Sequence, residues 1–474
     1  MINSKLIKIY ISLSNDCKKI LRRYLKSSFV TESKDIVSFF TFIDTRREIT
    51  ALSVSKEKAF SYLYPKAVYN DLKIRHLIWK STEIMEDFLL YYQTQNSLLL
   101  RNKILSDFYF SNNLPFLSNM IITEELEKIE QKEERSVLDY QTLYSFGLKY
   151  YDINSNNNRT SDFKFEQTCN ALNVDIIVEV LKSACIIDSI HKVTEKKIDL
   201  PLLKPTLELV ESSDYINLPI IKIYYNIYMA ITFDNEIAFE VFSENIKKYE
   251  MLFEKKALNK LFRLAINFCI KRHNQNRIEY SKHAFNLYLY GIENGILIEN
   301  EEISRFVYTN IVTMGIKIQE FEKVKNFMDK YVNYIQSDYK ENTFHFNSAK
   351  LFYATKRYND ATFILMTNEF KDIIWNLNAK YLLLKIQFET DDLETMENYF
   401  TAYRLFVKRR KNIGYHKEYF TNICNSFAKL MEIKHNPAKF TSFTFDNQTP
   451  DIDWFQKSLE SIKINFQTQN SRRK

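Results

Sequence analysis

The sequence predicts an all-α protein, and three observations support this prediction. Five glycines and seven prolines stand in 474 residues, far below the average shares of roughly 7% and 5%. Apolar side chains recur at helical spacing, and whole helix pairs recur along the chain. The glycines are too few and too scattered for a GxGxxG, GxxxxGKS/T or GxSxG motif, which excludes phosphate loops and nucleophile elbows of those types.

The first hundred residues indicate a separate helical module. Its four predicted helices lie at 5–27, 34–44, 55–64 and 70–93. Ser53 or Ser55 can act as the N-cap of the third helix, and Pro65 ends it. The apolar face predicted for the fourth helix consists of Leu72, Leu77, Ile84, Met85 and Phe88.

Beyond this module the chain has the periodicity of paired helices. One predicted helical face consists of Ile303, Phe306, Val307, Asn310, Ile311 and Met314. The second helix of each pair can be aligned on its first inward small or apolar residue. The aligned residues are Ala238, Ala284, Val324, Ala361 and Met396, at spacings of 46, 40, 37 and 35. Periods in the mid-thirties are typical of helix–turn–helix repeats that stack into a solenoid.

The stretch FNSAKLFYATKRYNDATFIL fits the tetratricopeptide pattern best. Ala349 and Ala361 occupy its two small-residue positions, where helices approach closely, and Phe352 and Leu365 occupy large apolar positions. The predicted fold is therefore a tetratricopeptide-like α-solenoid of helical hairpins with a separate helical N-terminal module. The predicted domains are the helical N-terminal module at 1–100, an α-solenoid of degenerate helix-pair repeats at 101–440, and a C-terminal cap and basic tail at 441–474. The Asn-rich segment 151–163 is predicted to be a flexible loop.

Three blocks of sequence are distinctive as a set. They contain ILRRYLKSSFVTESKDIVSFFTFI, then LYLYGIENGILIENEEISRFVYTNIVTMGIKIQEFEKVKNFMDKY, and finally FNSAKLFYATKRYNDATFIL with FTAYRLFVKRRKNIGYHKEYFTNICNSFAKL. In these blocks the chain resembles a family of uncharacterised bacterial tetratricopeptide-like proteins. The resemblance spans nearly the whole chain and implies helical repeats in a cytoplasmic protein. It assigns no catalytic residue.

The cysteines indicate a reducing compartment. They are scattered and odd in number, which is typical of buried thiols and not of a disulfide framework. They are Cys17, Cys169, Cys185, Cys269 and Cys424. No CxxC or HExxH motif occurs and the seven histidines are far apart, so we expect no metal, no cofactor and no catalytic residue set.

Two segments bear on the membrane question. Lys8 interrupts the apolar N-terminus, which has no small-residue cleavage site, so we do not identify a signal peptide. The run 215–233 contains Pro219 and Lys222, which favours a buried helix over a transmembrane span. We expect a cytoplasmic protein without a membrane partner.

The net charge of +7 is distributed unevenly. Residues 1–100 carry +6 and residues 400–474 carry +8, so the acidic middle carries −7. Two basic ends of this kind predict partners with acidic surfaces.

Two basic clusters are candidate partner-binding sites. The first consists of Arg404, Lys408, Arg409, Arg410 and Lys411. It can bind an acidic partner, or it can complement the dipole at a helix end with Gly414 near the C-cap. The second consists of Lys18, Lys19, Arg22, Arg23 and Lys26, which can equally be a solvated helix face.

Two further segments have a functional and a structural interpretation. The helices at 55–64 and 70–93 can form a DNA-reading helix-turn-helix, although the second is long and apolar for that role. Its groove-facing side chains would be Lys73, Arg75, His76 and Lys80. The acidic segment 124–136 is predicted to be a solvated helix face, with Glu125 and Lys128 at ion-pair spacing.

The leading functional hypothesis is a non-enzymatic helical-repeat scaffold that mediates protein–protein or protein–peptide interaction. Its partner is expected to have an acidic surface, and no small-molecule substrate is expected. The alternative is a nucleic-acid-associated factor, in transcription or RNA handling, that binds through its basic ends.

Overall fold

The computed structural model describes residues 1–155, 162–194, 196–275, 277–410, 414, 416–437, 442–446 and 449–472. In this part of the chain the regular secondary structure is helical and no β-strand is present, which confirms the predicted all-α class. Short 3-10 helices lie at Asp214–Asn217, Glu250–Leu252, Val332–Tyr334 and Ser337–Tyr339. The α-helices are α1 (Lys5–Ser12), α2 (Asn15–Tyr24), α3 (Lys34–Asp44), α4 (Lys56–Leu63), α5 (Asp71–Asn96), α6 (Leu98–Ser111), α7 (Pro115–Glu130), α8 (Val137–Asn154), α9 (Phe165–Thr194), α10 (Leu203–Ser212), α11 (Pro219–Phe233), α12 (Glu236–Lys248), α13 (Lys255–Asn274), α14 (Glu279–Glu293), α15 (Arg305–Lys317), α16 (Phe321–Tyr331), α17 (Lys340–Ala354), α18 (Tyr358–Thr367), α19 (Ile373–Glu389), α20 (Leu393–Arg409), α21 (His416–His435) and α22 (Ile452–Arg472).

Packing divides the chain into two compact units, Met1–Ile176 and Ile177–Lys474. The sequence predicted divisions at residues 100 and 440 instead. The structure does not divide at residue 100, because helices on both sides of that residue pack on one another: α5 on α6, α6 on α7 and α7 on α8. It does not divide at residue 440 either, because the C-terminal residues pack on the helices before them.

Helices α1 to α5 share one hydrophobic core. The predicted helix 5–27 is two helices, because Leu13 is extended and the Ser14 side chain caps α2, accepting the backbone N–H of Cys17 at 3.2 Å. Ser55 caps α4 in the same way, accepting the N–H of Lys58 at 3.2 Å. The fully buried core side chains include Leu6, Ile7, Phe39, Phe42, Ile43, Ile74, Met85 and Phe88.

The second unit contains five successive helix pairs, in which α11 packs on α12, α13 on α14, α15 on α16, α17 on α18 and α19 on α20. The residues aligned from the sequence all lie on the second helix of a pair, and all are buried. They are Ala238, Ala284, Val324, Ala361 and Met396. Among the first helices, α11 packs on α13, α15 on α17 and α17 on α19, whereas α15 packs on α14, the second helix of the preceding pair. The predicted period thus corresponds to real helix pairs.

Four of these pairs turn through one residue in the left-handed backbone region. These residues are Asp234, Gln319, Lys356 and Asp391, with φ between 53° and 62°. After Gln319, the N–H of Glu320 donates to the carbonyl oxygen of Gly315 at 2.9 Å, which closes the helix end. Residue 276, in the fifth turn, lies outside the described residues. At these four turns a residue with a side chain adopts the left-handed conformation that glycine usually adopts.

Small residues allow the helices of a pair to approach closely. Ala349 on α17 and Ala361 on α18 are both fully buried in one cluster. At Gly315 an added Cβ would lie 2.7 Å from the Phe285 ring and closer still to Val324. The glycine at this crossing therefore serves packing and not backbone conformation.

Four side chains differ from their predicted environments. Phe306 is 61% and Leu72 is 81% exposed, although Val307 and Ile74 in the same first turns are buried, so these two side chains point away from the packed face. Cys169 is exposed on α9, whereas the other four cysteines are buried as predicted. Glu125 is buried in the acidic segment of α7, where it accepts a hydrogen bond from Asn102 at 3.0 Å.

The C-terminal residues pack on the last helices of the second unit. Buried side chains of α22 join a core with α19, α20 and α21, and they are Trp454, Phe455, Leu459 and Ile462. Of the predicted basic tail, residues up to Arg472 continue α22. Of the predicted Asn-rich loop, α8 includes the first part to Asn154, and residues 156–161 lie outside the described residues.

Candidate functional site

The first predicted basic cluster lies at the end of α20. Arg404, Lys408, Arg409 and Arg410 are exposed, and no carboxylate of the described residues pairs with them. The guanidinium of Arg410 lies over a phenylalanine ring of its own helix. Lys411, the fifth predicted member, lies outside the described residues. The four described side chains present positive charge to solvent.

A different cation caps this helix end. The Nζ of Lys417 donates to the carbonyl oxygens of Lys408 at 3.0 Å and Arg410 at 2.9 Å, and to that of Val407. The C-cap residue is Arg410, and Gly414, predicted near the C-cap, lies four residues further along the chain with a φ of +54°. Lys417 thus supplies the hydrogen bonds at this helix end, and the exposed side chains of the cluster are not needed for them.

The second predicted basic face divides into two groups. Lys18 and Arg22 line a cleft beside α1 and the end of α3. Lys19 pairs at 2.8 Å with an exposed carboxylate of its own helix. Arg23 and Lys26 are exposed and have no carboxylate partner among the described residues. The first group, Lys18 and Arg22, therefore shares one concave surface.

The four side chains predicted to face a DNA groove, Lys80 among them, are exposed, and the other three contact neighbouring side chains. The Nζ of Lys73 lies 3.5 Å from the centre of the Tyr64 ring, and His76 stacks on Trp79. Arg75 pairs at 2.6 Å with a carboxylate one turn earlier. The helix that carries them, α5, has 26 residues and buries an apolar face against the core. This geometry is that of a core helix, although it leaves the basic side chains accessible.

A further set of cations, which sequence reasoning missed, lies on the first helices of three successive pairs. Lys317 is on α15, Lys350 on α17 and Lys385 on α19, at spacings of 33 and 35 residues. Each stands near the end of its helix. We call these three residues the lysine row. The repeat period is the signal that could have identified it.

Two carboxylates at the start of α22 pair with the outer members of the lysine row. The Oδ2 of Asp453 lies 3.0 Å from the Nζ of Lys317, and the Oδ2 of Asp451 lies 2.8 Å from the Nζ of Lys385. The Lys385 side chain is only 13% exposed, whereas that of Lys317 is 41% exposed. The row is therefore covered at Lys385 and open to solvent at Lys317.

Lys350, the middle member, has no carboxylate partner among the described residues. Its Nζ donates to the Oγ1 of Thr313 and lies 5.8 Å from the centre of the Phe346 ring. Burial, followed by the neighbouring charge of Lys385, lowers the pKa of Lys350 from 10.5 to about 8. Three lysines face two carboxylates, and the unbalanced positive charge is at Lys350.

A satisfied polar network surrounds the covered end of the lysine row. The Glu389 carboxylate accepts hydrogen bonds from four side chains. Burial alone would raise the pKa of Glu389, but these hydrogen bonds outweigh burial and hold the pKa below its ordinary value. The donors are Tyr353, Tyr358, Lys356 and Trp454. The Glu389 carboxylate therefore stays charged, and its ion-pair partner is Lys356 at 3.0 Å and not Lys350.

Two absences apply to the residues that the structure describes. They contain no group of three or more histidine, cysteine, aspartate or glutamate side chains that could hold a metal ion. None of their helices has both the length and the apolar character needed to cross a membrane. The segment 215–233, predicted to be a buried helix, contains α11, which buries eight residues.

The chain matches no protein-family model, no curated protein and no solved structure. The fold and the surfaces described above define an all-helical protein whose second unit contains successive helix pairs. Its resemblance to bacterial tetratricopeptide-like proteins stays a prediction.

Proposed function

We propose that this protein is a non-enzymatic, tetratricopeptide-like scaffold that binds an acidic segment of a partner protein along the first helices of its pairs. The five helix pairs, with buried small or apolar residues at matching positions, support a solenoid of helical hairpins. In such a solenoid the first helices line an extended surface on which partners bind.

The observation that carries this proposal is the charge balance of the lysine row. An ammonium that is buried without a carboxylate costs free energy, because it loses water and gains no opposite charge. A partner carboxylate next to Lys350 would remove this cost. The exposed end of the row is at Lys317, whose side chain is 41% exposed. The row therefore selects an acidic segment over a neutral one.

A peptide titration tests this proposal. Fluorescein-labelled hexaglutamate is titrated with the full chain and followed by fluorescence anisotropy, with hexaglutamine as the uncharged probe. We expect hexaglutamate to bind and hexaglutamine not to bind. Lys350→Met should weaken hexaglutamate binding by about tenfold or more, since a buried charge pair contributes more than 1.4 kcal/mol.

The matched control is Lys325→Met, which removes the same charge from an exposed position on α16. It should leave the affinity for hexaglutamate within about twofold of the wild-type value, because exposed charges at a distance are screened. Equal weakening in both variants would show that net charge alone attracts the peptide. Undiminished binding by Lys350→Met would contradict the proposed site.

The second candidate function is nucleic-acid association, which the exposed cluster at the end of α20 favours. A fluorescent 20-nucleotide single strand is the probe, and affinity is measured from low to physiological salt. Phosphate contacts predict a logarithm of affinity that falls linearly with the logarithm of salt concentration. Absence of binding at low salt would end this alternative.

A further inference from the structure

A cleft in the first unit is lined by positive charge. It lies between α1, α2 and the residues that follow α3, and its volume is about 420 Å³. Small-molecule sites typically occupy roughly 300–1,000 Å³, so this cleft can hold a ligand of metabolite size. Its charged and polar lining residues are Tyr10, Asn15, Lys18, Arg22, Asp44, Arg46 and Arg47.

Four of these lining residues are cations, namely Lys18, Arg22, Arg46 and Arg47. The protein holds two of them, Arg22 and Arg46, in fixed positions. Arg22 donates to both carboxylate oxygens of Asp44, at 2.7 and 2.9 Å, and the Tyr10 hydroxyl donates to the same carboxylate. Arg46 donates from Nε to the carbonyl oxygen of Phe42 at 3.2 Å. Each guanidinium therefore keeps its remaining N–H groups for a ligand while its position is already set.

The other two cations, Lys18 and Arg47, form no ion pair within the part of the chain that the structure describes. Lys18 lies over the Tyr10 ring, with its Nζ 4.9 Å from the ring centre. Arg47 is exposed, and no carboxylate of the described residues pairs with Lys18 or Arg47. Since Asp44 is already paired with Arg22, the cleft has a large excess of positive charge. Guanidinium groups recognise phosphate through parallel hydrogen bonds, which a point charge cannot form.

We propose that this cleft binds a small phosphate-bearing molecule through a diphosphate group. Four cations around one cleft match a diphosphate better than a single phosphate or a carboxylate, because both phosphoryl groups find positive partners. The proposal departs from the expectation that no small molecule binds. It concerns residues of the first unit alone and is independent of the acidic-segment proposal.

Isothermal titration calorimetry of the full chain with inorganic pyrophosphate tests the site, with inorganic phosphate in a second titration. The cleft variant is Lys18→Gln with Arg47→Gln, which leaves the Arg22–Asp44 pair intact. The control variant is Lys19→Gln with Arg23→Gln, which removes the same charge from exposed positions of α2 outside the cleft. Circular dichroism checks that both variants are folded.

We expect pyrophosphate to bind more tightly than phosphate. The cleft variant should lose about tenfold or more in affinity, and the control variant less than about twofold. Equal losses in both variants, or no heat with millimolar pyrophosphate, would overturn the proposal. If the cleft variant is less folded, Arg47→Lys serves instead, and unchanged pyrophosphate affinity there would contradict recognition by a guanidinium. Binding of a 12-nucleotide strand with equal loss in both variants would indicate nucleic acid on the whole face of α2 and would also overturn it.

Discussion

Replacing Lys350 with methionine should stabilise the fold, although the residue is largely buried and forms a hydrogen bond. Methionine has a similar length and flexibility and carries no charge. Thr313, the acceptor of the Lys350 hydrogen bond, still donates to the carbonyl oxygen of Thr309 at 2.7 Å. The substitution therefore leaves no new buried polar group without a partner.

The magnitude follows from the pKa of Lys350. Its decrease from 10.5 to about 8 corresponds to about 3 kcal/mol of unfavourable free energy in the folded state at neutral pH. The lost hydrogen bond offsets about 1 kcal/mol of this. Lys350→Met should therefore raise the free energy of unfolding by about 2 kcal/mol at pH 7.

The gain should decrease as pH rises. Below pH 8 the ammonium is charged in both states, so the whole cost is present; above pH 8 only the unfolded chain keeps the proton. Wild-type stability therefore rises with pH relative to the variant, because the unfolded state binds more protons. Between pH 7 and pH 9.5 the advantage of Lys350→Met should fall by about 2 kcal/mol.

Guanidinium unfolding of wild type and variant, followed by circular dichroism at pH 7 and pH 9.5, measures both quantities. Lys325→Met, on an exposed part of α16, should change stability by less than about 0.5 kcal/mol at either pH. A Lys350→Met variant that is less stable than wild type at pH 7 would refute this reasoning. So would an advantage of the same size at both pH values.

Three further predictions concern the repeats and the basic cluster. Ala361→Phe should lower stability by about 1–3 kcal/mol, because the ring overpacks a fully buried helix crossing; an unchanged melting temperature would show that Ala361 is not at that crossing. Gln319→Gly should raise the free energy of unfolding by about 0.5–1 kcal/mol, because its φ of +61° is strained for any residue with a Cβ; denaturant unfolding measures this, and a loss of stability would contradict it. Changing Lys408, Arg409 and Arg410 together to glutamine should alter stability by less than about 1 kcal/mol, because the hydrogen bonds at this helix end come from another side chain. A large drop in melting temperature would restore the capping role predicted for these three residues.

The helices and their repeat period could be predicted from the sequence alone. Helix formation depends on neighbours three and four positions apart, so composition and spacing are sufficient to predict it. The small residues of the repeats were predictable from the repeat pattern, since Ala349 and Ala361 stand at fixed positions within one hairpin. The exposure of single side chains was harder to predict, as Phe306 and Leu72 show, because it depends on where the neighbouring helices pack.

The charge balance of the candidate sites was decided by the tertiary structure. Lys385 pairs with Asp451 over 66 residues of sequence, and Lys317 pairs with Asp453 over 136. The position at which α22 begins to pack decides which lysine of the row lacks a carboxylate partner. No local sequence pattern specifies that position. The sequence by itself determined the helices and the total charge. Only the packing decided which charges are neutralised, because an ion pair depends on distances between atoms that lie far apart along the chain.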